Sequence, residues 1–396
     1  MARKILVGLL AVCLLLLCLG VGFIVYMETR PEPVTPETTV PTTAPAVETT
    51  EATEVPTTEA PTTVPPTTEA PTEAPTEAPT EAPTEAPTEP LVYTNPLTGE
   101  ILEAPLESRP FAVTINNVSA AMPMFGVGQA DLFFEMFVND YLTRGLAVFA
   151  DIREVGSVGS LRSLRYNFVD LARSYDAVVV YASGSSQVLN YLAASGVDNL
   201  CAESEAADYF FRDQTRLNAG YAWEHTLFIK GEKTRNFAES KGIRVTGKEN
   251  ADYGLHFAQD GTPAEGENAD LVTILLRHDG ATKKNVMDYD AEKGAYLFQQ
   301  FNRTMHDGGL GENIYFENVI VMLCTVENES VYHVADLVGS GEGYFACGGK
   351  IIPIKWSHDS LDEPIRFTLT DGTPLELGVG SSYIAIAPLT STVEWE

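Results

Sequence analysis

The chain begins with an apolar run too long for an ordinary soluble element. Arg3 and Lys4 precede an unbroken apolar stretch, Ile5 to Tyr26, of 22 residues. A helix needs about 20 such residues to cross a bilayer core. The basic flank predicts a cytoplasmic N-terminus and places the rest of the chain outside. A cleaved leader is the competing reading, with Gly20-Val21-Gly22 as its cleavage mimic. Phe23 to Tyr26 continue the apolar run and favour an anchor. Val12 before Cys13 and Leu17 before Cys18 make a poor lipid-attachment signal.

Apolar patterning returns after residue 91. Phe111-Ala112-Val113-Thr114-Ile115, Asp131 to Phe137, Leu146 to Ala150 and Ala177 to Tyr181 read as strands. Leu161, Leu164, Phe168 and Leu171 recur at spacings of three and four, which predicts a helix over 160–174 capped by Ser160. A second helix is expected near 185–194. From about 251 the signals are almost all strand: 271–276, 296–301, 319–326, 332–338, 350–356, 365–370 and 383–387. Gly339 to Gly343 and Asp371-Gly372 read as turns between them. The expected fold class is therefore α+β. A mixed N-terminal domain (91–250) precedes a smaller β-rich domain (251–396), with a break near Thr246 to Tyr253.

Composition divides the chain the same way. Residues 31–90 hold twelve Glu and no Lys or Arg, and Thr-Glu-Ala-Pro repeats five times from Thr68 to Pro87. Proline at every fourth position blocks helix and sheet hydrogen bonding, and the acidic, weakly apolar mix opposes collapse. This segment is expected to be a disordered, extended stalk. At about 3.1 Å per residue it would reach up to roughly 190 Å. The whole chain carries a net charge of -30. Such a field repels phosphate backbones and argues against nucleic acid as a partner. The expected partners are the membrane, through the first helix, and a cell-wall polymer or envelope protein. Cys201, Cys324 and Cys347 form no C-x-x-C pair, and no metal or cofactor motif is legible.

The candidate chemistry centres on Gly156-Ser157-Val158-Gly159-Ser160-Leu161-Arg162-Ser163-Leu164-Arg165. Read as a helix start, it offers free N–H groups and two arginines to an anion. Arg173 would join Arg162 and Arg165 on one helix flank. Glu135, between Phe134 and Met136, reads as an inward carboxylate with Arg144 as a plausible partner. The ligand-binding candidates are Glu135, Arg144, Arg162, Ser163, Arg165 and Asn117. A catalytic alternative uses Ser163 or Glu135 with His225, and Asp131 completes a triad on paper. No G-x-S-x-G elbow supports it. A third reading is a structural or partner-docking module.

These residues resemble a known family, the YerB-like bacterial lipoproteins with the domain of unknown function 3048. The N-terminal marks are Arg109-Pro110, Ile115-Asn116-Asn117, Ala130-Asp131, Glu135, Thr143-Arg144 and the stretch 156–165. In that stretch the family usually reads Gly-Pro-Val-Arg-Ser-x-Arg; here Ser160 stands for the proline. Tyr289-Asp290, Tyr296, His306-Asp307, Asn318 to Val321, Gly348 to Lys350 and Trp356 match a second, C-terminal family domain. The resemblance implies an extracytoplasmic location and typically a lipid anchor. It implies no activity.

Overall fold

The computed structural model describes residues 92–203, 208–249 and 251–396. The expected anchor and stalk lie outside the described residues. Among the described residues no helix is long and apolar enough to cross a membrane.

The N-terminal half supplies β1 (Phe111–Asn117), β2 (Leu132–Asn139), β3 (Leu142–Phe149), α1 (Tyr166–Ser174), β4 (Val178–Tyr181), α2 (Ser186–Ser195) and β5 (Asn199–Cys201). The C-terminal half supplies β6 (Leu271–His278), β7 (Ala281–Asp290), β8 (Ala295–Gln300), β9 (Asn318–Cys324), β10 (Val326–Glu329) and β11 (Tyr332–Ala335). It continues with β12 (Gly339–Cys347), β13 (Lys350–His358), β14 (Ser382–Pro388) and β15 (Thr392–Trp395). The described fold is mostly β-strand with few helices, so the expected α+β class holds only in part.

One eleven-stranded sheet contains the core of both halves, with β13-β12-β9-β14-β2-β3-β1-β4-β5 as its continuous run. The join is β14 against β2, parallel, with Ser382 opposite Leu132 and Ile386 opposite Met136. Backbone hydrogen bonds thus run on between strands from the two halves of the sequence. Strand side chains alternate between faces. Phe133, Phe137, Ile115 and Tyr383 look one way, onto a second sheet built from β8-β7-β6-β15. There Phe133 stacks on Phe316, with ring centroids 6.1 Å apart. Phe134, Met136 and Leu146 look the other way, under α1 and its Phe168 and Leu171. Gly145 in β3 has a packing reason: a Cβ there would sit 2.4 Å from the Phe133 ring. Cys324 and Cys347 are buried free thiols.

Two expectations fail, both for the same reason. The helix expected from Ser160 begins only at Tyr166, with Arg165 extended as its N-cap. Residues 160–164 are instead a strap laid along the sheet. Asn116 N–H donates to the Ser160 carbonyl (2.9 Å), Arg162 N–H to Thr114, and Leu164 N–H to Ser183 (2.7 Å). Leu161 and Leu164 are both buried, but on opposite faces of the large sheet. Long-range backbone pairing outweighs a local period of 3.6. Gly339 to Gly343 are likewise no turn but the start of β12, paired with β13 from Gly339–His358 onward. Gly341 and Gly343 are needed there, because a Cβ would meet Trp356 and the Val321 carbonyl at 2.5 and 2.3 Å.

Candidate functional site

The polar candidates separate onto the two faces of the large sheet. Glu135 in β2 lies opposite Gly145 in β3, and Met136 lies opposite Arg144. The pleat therefore sends Glu135 and Arg144 to opposite sides. The expected Glu135–Arg144 pairing is not formed, and Glu135 orients no arginine.

Glu135 is fully buried between the sheets. Its Oε1 accepts from Asn117 Nδ2 (2.8 Å) and Thr143 Oγ1 (2.7 Å). Its Oε2 accepts from Asn285 Nδ2 (2.8 Å) and the Tyr383 hydroxyl (2.9 Å). Four donors saturate both oxygens of this carboxylate. Asn117, expected at the ligand site, therefore belongs to this internal network. Lys283 lies nearby, buried, donating to Gln300 and resting 3.3 Å from the Phe301 ring centroid. Burial pushes its ammonium down to about 8, while the Glu135 charge pulls the other way.

On the helix-covered face three arginines converge. Arg144 is buried and donates to the Ser163 carbonyl (2.7 Å). Arg165 donates to the Leu164 carbonyl (2.7 Å) and lies over the Tyr332 ring at 4.8 Å. Arg162 is half-buried with its Nε unpartnered, and the Arg165 Nε is unpartnered too. Among the described residues none of the three forms an ion pair. Other buried arginines show the contrast. Arg109 pairs with Asp198 at 2.6 Å, and Arg216 donates to the Ala121 and His225 carbonyls. Burial, then the charges of Arg165 and Arg162, push Arg144 down to about 8. A guanidinium gives up its proton very reluctantly. That push is free energy which a bound anion would relieve.

Ser163 Oγ lies 3.2 Å from Ser183 Oγ and touches no base. His225 Nδ1 lies 2.8 Å from Asn116 Nδ2, which places the ring proton on Nε2. Burial lowers His225 below the usual imidazole range; Glu224 opposes this and Arg162 adds to it. His225 is thus electrostatically coupled to the arginines, and Ser163 is not its partner. Asp131 sits at the start of β2, held by Asn95 Nδ2 (2.6 Å) and Ala150 N–H (2.7 Å). The paper triad is not assembled. Arg173 leaves the cluster as well and makes a two-pronged pair with Asp362 at 2.6 Å.

Burial pushes Asp131 up to about 6 from 3.8. A carboxyl that resists ionisation when folded destabilises the fold as pH rises from about 4 through 6, and has no such cost below 4. The shift corresponds to about 3 kcal/mol. Urea unfolding of wild type and Asp131→Asn across pH 4–7 should show this loss in the wild type only. Parallel curves would show that Asp131 ionises freely.

Two surface hollows lie elsewhere. One of about 340 Å³ borders Trp356 and Leu389. The other, of about 1010 Å³, is lined by Asp260, Glu265, Asp371 and Glu376 with no lysine or arginine. Neither suits an anion. Sequence reasoning missed Lys283, Asn285, Tyr383 and Tyr332. Lys283, Asn285 and Met287 alternate with exposed or half-buried neighbours along β7, a period-two signal hidden by their polarity.

Fold and geometry together define a mostly β protein of two joined sheets, with three neighbouring arginines near the start of α1, none of them in an ion pair among the described residues. Family models described as the N-terminal and C-terminal domains of a protein of unknown function (DUF3048) match residues 97–244 and 276–384. Together they span well over half of the chain, and the chain belongs to this YerB-like family. It is 24% identical over 312 residues to a Bacillus subtilis (strain 168) protein named "Putative lipoprotein YerB", covering 74% of this chain and 86% of that one. The crystal structure of the Bacillus subtilis YerB protein shares the fold. Its TM-score is 0.66 at 23% identity, over 76% of this chain and 99% of that one.

Proposed function

We propose that this protein is a membrane-anchored, extracytoplasmic envelope component that binds an anionic ligand through Arg144, Arg162 and Arg165. The stalk carries the folded part away from the bilayer, toward wall polymers. One observation supports the binding reading above the rest. In a chain of net charge -30, three arginines lie close enough for Arg162 and Arg165 to repel Arg144, and none of the three forms an ion pair among the described residues, Glu203 and Glu224 lending Arg162 only a longer-range attraction. Arginines paired only by chance would find acid easily here. Arg162, half-buried with its Nε buried and unpartnered, supplies a donor without an acceptor, and Arg144 supplies the buried charge. Tyr332 forms one wall. A carboxylate of a wall peptide or a polymer phosphate has the chemistry to accept a guanidinium fork. Extracytoplasmic placement draws on the lipoprotein named among its relatives and on the Ile5–Tyr26 run.

Full-length protein titrated with soluble peptidoglycan fragments and, separately, inorganic phosphate tests the reading. Saturable binding is expected to one of them, weakened at least tenfold in Arg162→Ala. A tenfold loss is about 1.4 kcal/mol, a modest demand for a charged hydrogen bond. Identical titration curves for wild type and Arg162→Ala would remove the proposal.

A further inference from the structure

A second constellation lies where three hairpins meet. The turn between β2 and β3 contributes Asp140, and the turn between β6 and β7 contributes Asp279 just after His278. The β10–β11 hairpin contributes Asn328 and His333. Ligand atoms of His278, Asp279 and His333 all lie within 4.8 Å of one another. His278 Nε2 is 3.6 Å from Asp279 Oδ2. Asn328 Oδ1 sits among them, 3.1 Å from His278 Nε2 and 2.5 Å from His333 Nδ1. The two imidazoles pack edge to face, centroids 4.4 Å apart, and both lean on the Phe137 ring.

The hydrogen inventory of this cluster does not close with neutral rings. His333 Nε2 lies 2.9 Å from the Asp140 carbonyl oxygen, which can only accept, so Nε2 carries a proton and donates it. Asn328 Nδ2 donates to Asp279 Oδ2 (2.5 Å), which turns Asn328 Oδ1 toward the histidines. His333 Nδ1 then presents its lone pair to an oxygen lone pair, with the His278 Nε2 beside it. Either a second proton or a shared cation must stand between them. The outer geometry favours the cation. A metal-bound imidazole almost always gives its other N–H to a carbonyl or carboxylate, which fixes the tautomer and aims the ring. The Asp140 carbonyl does this here, from the turn between β2 and β3.

We propose that His278 Nε2, His333 Nδ1, Asp279 Oδ2 and Asn328 Oδ1 bind one divalent first-row transition ion, zinc being the best match. Two imidazole nitrogens and two oxygens suit such an ion, whereas calcium or magnesium would call for oxygen alone. Zinc bonds of about 2.0–2.2 Å put tetrahedral ligands about 3.4 Å apart. The spacings of 2.5 to 4.8 Å bracket that value, and hairpin tips can adjust to it. The ion would clamp two hairpins far apart in sequence, with the Asp140 carbonyl bracing His333 from a third. It would also order the hairpin that presents Tyr332 to Arg165.

Calorimetric titration of the full-length protein with Zn2+, after chelator treatment, tests this. One equivalent should bind tightly, and His278→Ala and His333→Ala should each weaken it at least thirtyfold. His256→Ala, on an exposed histidine elsewhere, should leave it unchanged. Because His278 packs on Phe137, its replacement risks the fold. Asn328→Ala, on the exposed tip, gives an independent reading and should weaken binding about tenfold. Absence of saturable Zn2+ uptake overturns the proposal, and so does uptake indifferent to His333→Ala and Asn328→Ala.

Discussion

Glu135→Leu is expected to lower the melting temperature by roughly 10 °C, among the largest losses from any single substitution in this protein. The carboxylate is fully buried and accepts four hydrogen bonds, from Asn117, Thr143, Asn285 and Tyr383. Removing it leaves the Thr143 and Tyr383 hydroxyls without their acceptor and takes one of two partners from each of Asn117 and Asn285, which keep their bonds to Thr143 and Tyr383. Each stranded group costs about 1–3 kcal/mol, reduced by whatever rearrangement the neighbours can make. Lys283 would also lose the nearby negative charge that holds its ammonium up against burial. The total comes to about 3–5 kcal/mol, the range for breaking buried charged networks. The location of the network matters as much as its strength. Asn117 and Thr143 come from the N-terminal half, and Asn285 and Tyr383 come from the C-terminal half. Glu135 therefore fastens the second sheet to the large one. Glu135→Leu combined with Lys283→Met should recover part of the loss, because the double variant buries no lone charge. Thermal unfolding of both variants measures this. A Glu135→Leu protein as stable as wild type would mean that the network contributes nothing to holding the halves together.

The sequence told more about elements than about sites. Strands written as continuous apolar runs, buried on both faces, were legible: β1, β2, β4, β9 and β14 lie within a few residues of their expected places. α2 was legible too, because Ser185 caps it through the Val188 N–H and Gly196 ends it in the left-handed conformation. Elements decided by distant partners were not. The strap at 160–164 has helical spacing, yet its backbone bonds go to Thr114, Asn116 and Ser183. β7 was not among the expected strands; its buried Lys283 and Asn285 are polar, and Asn285 serves Glu135, some 150 positions away. For the site, residue types were chosen better than partners. Arg144, Arg162, Ser163 and Arg165 do gather in one place. Glu135 and Asn117 were drawn into the same picture only because sequence proximity hides the pleat, which sends Glu135 and Arg144 apart. His225 neighbours the arginines through a loop between Arg216 and Leu227, and nothing local announces that. The His278–Asn328–His333 cluster is still less visible, since its members come from hairpin tips with no motif spacing.

Arg144→Met should separate a binding site from a structural clamp by giving opposite results in two measurements. In the absence of ligand the variant should be at least as stable as wild type. Arg144 contributes one hydrogen bond, to the Ser163 carbonyl, worth about 1 kcal/mol. Against this stand burial of its charge and repulsion from Arg165 and Arg162, the causes that push its guanidinium down. Methionine keeps much of the side-chain volume over the sheet and removes the charge. Replacing an uncompensated buried charge with an apolar side chain is often neutral or stabilising. In the presence of the anionic ligand the order reverses. The wild type should gain stability by mass action, about 2.7 kcal/mol at a hundredfold excess over the dissociation constant. The variant should gain little, since losing a desolvated charge contact costs about 2–5 kcal/mol of binding. A module whose arginines only hold its parts together predicts the contrary: lower stability without ligand, and an unaltered response to added anion. Melting curves of the two proteins with and without peptidoglycan fragments and phosphate decide between them. A destabilised Arg144→Met protein that still gains the wild-type increment would end the case for an anion at this recess. The physical root of the prediction is that Glu203 and Glu224 reach Arg162, while buried Arg144 feels Arg165 and Arg162 and no carboxylate strong enough to offset them.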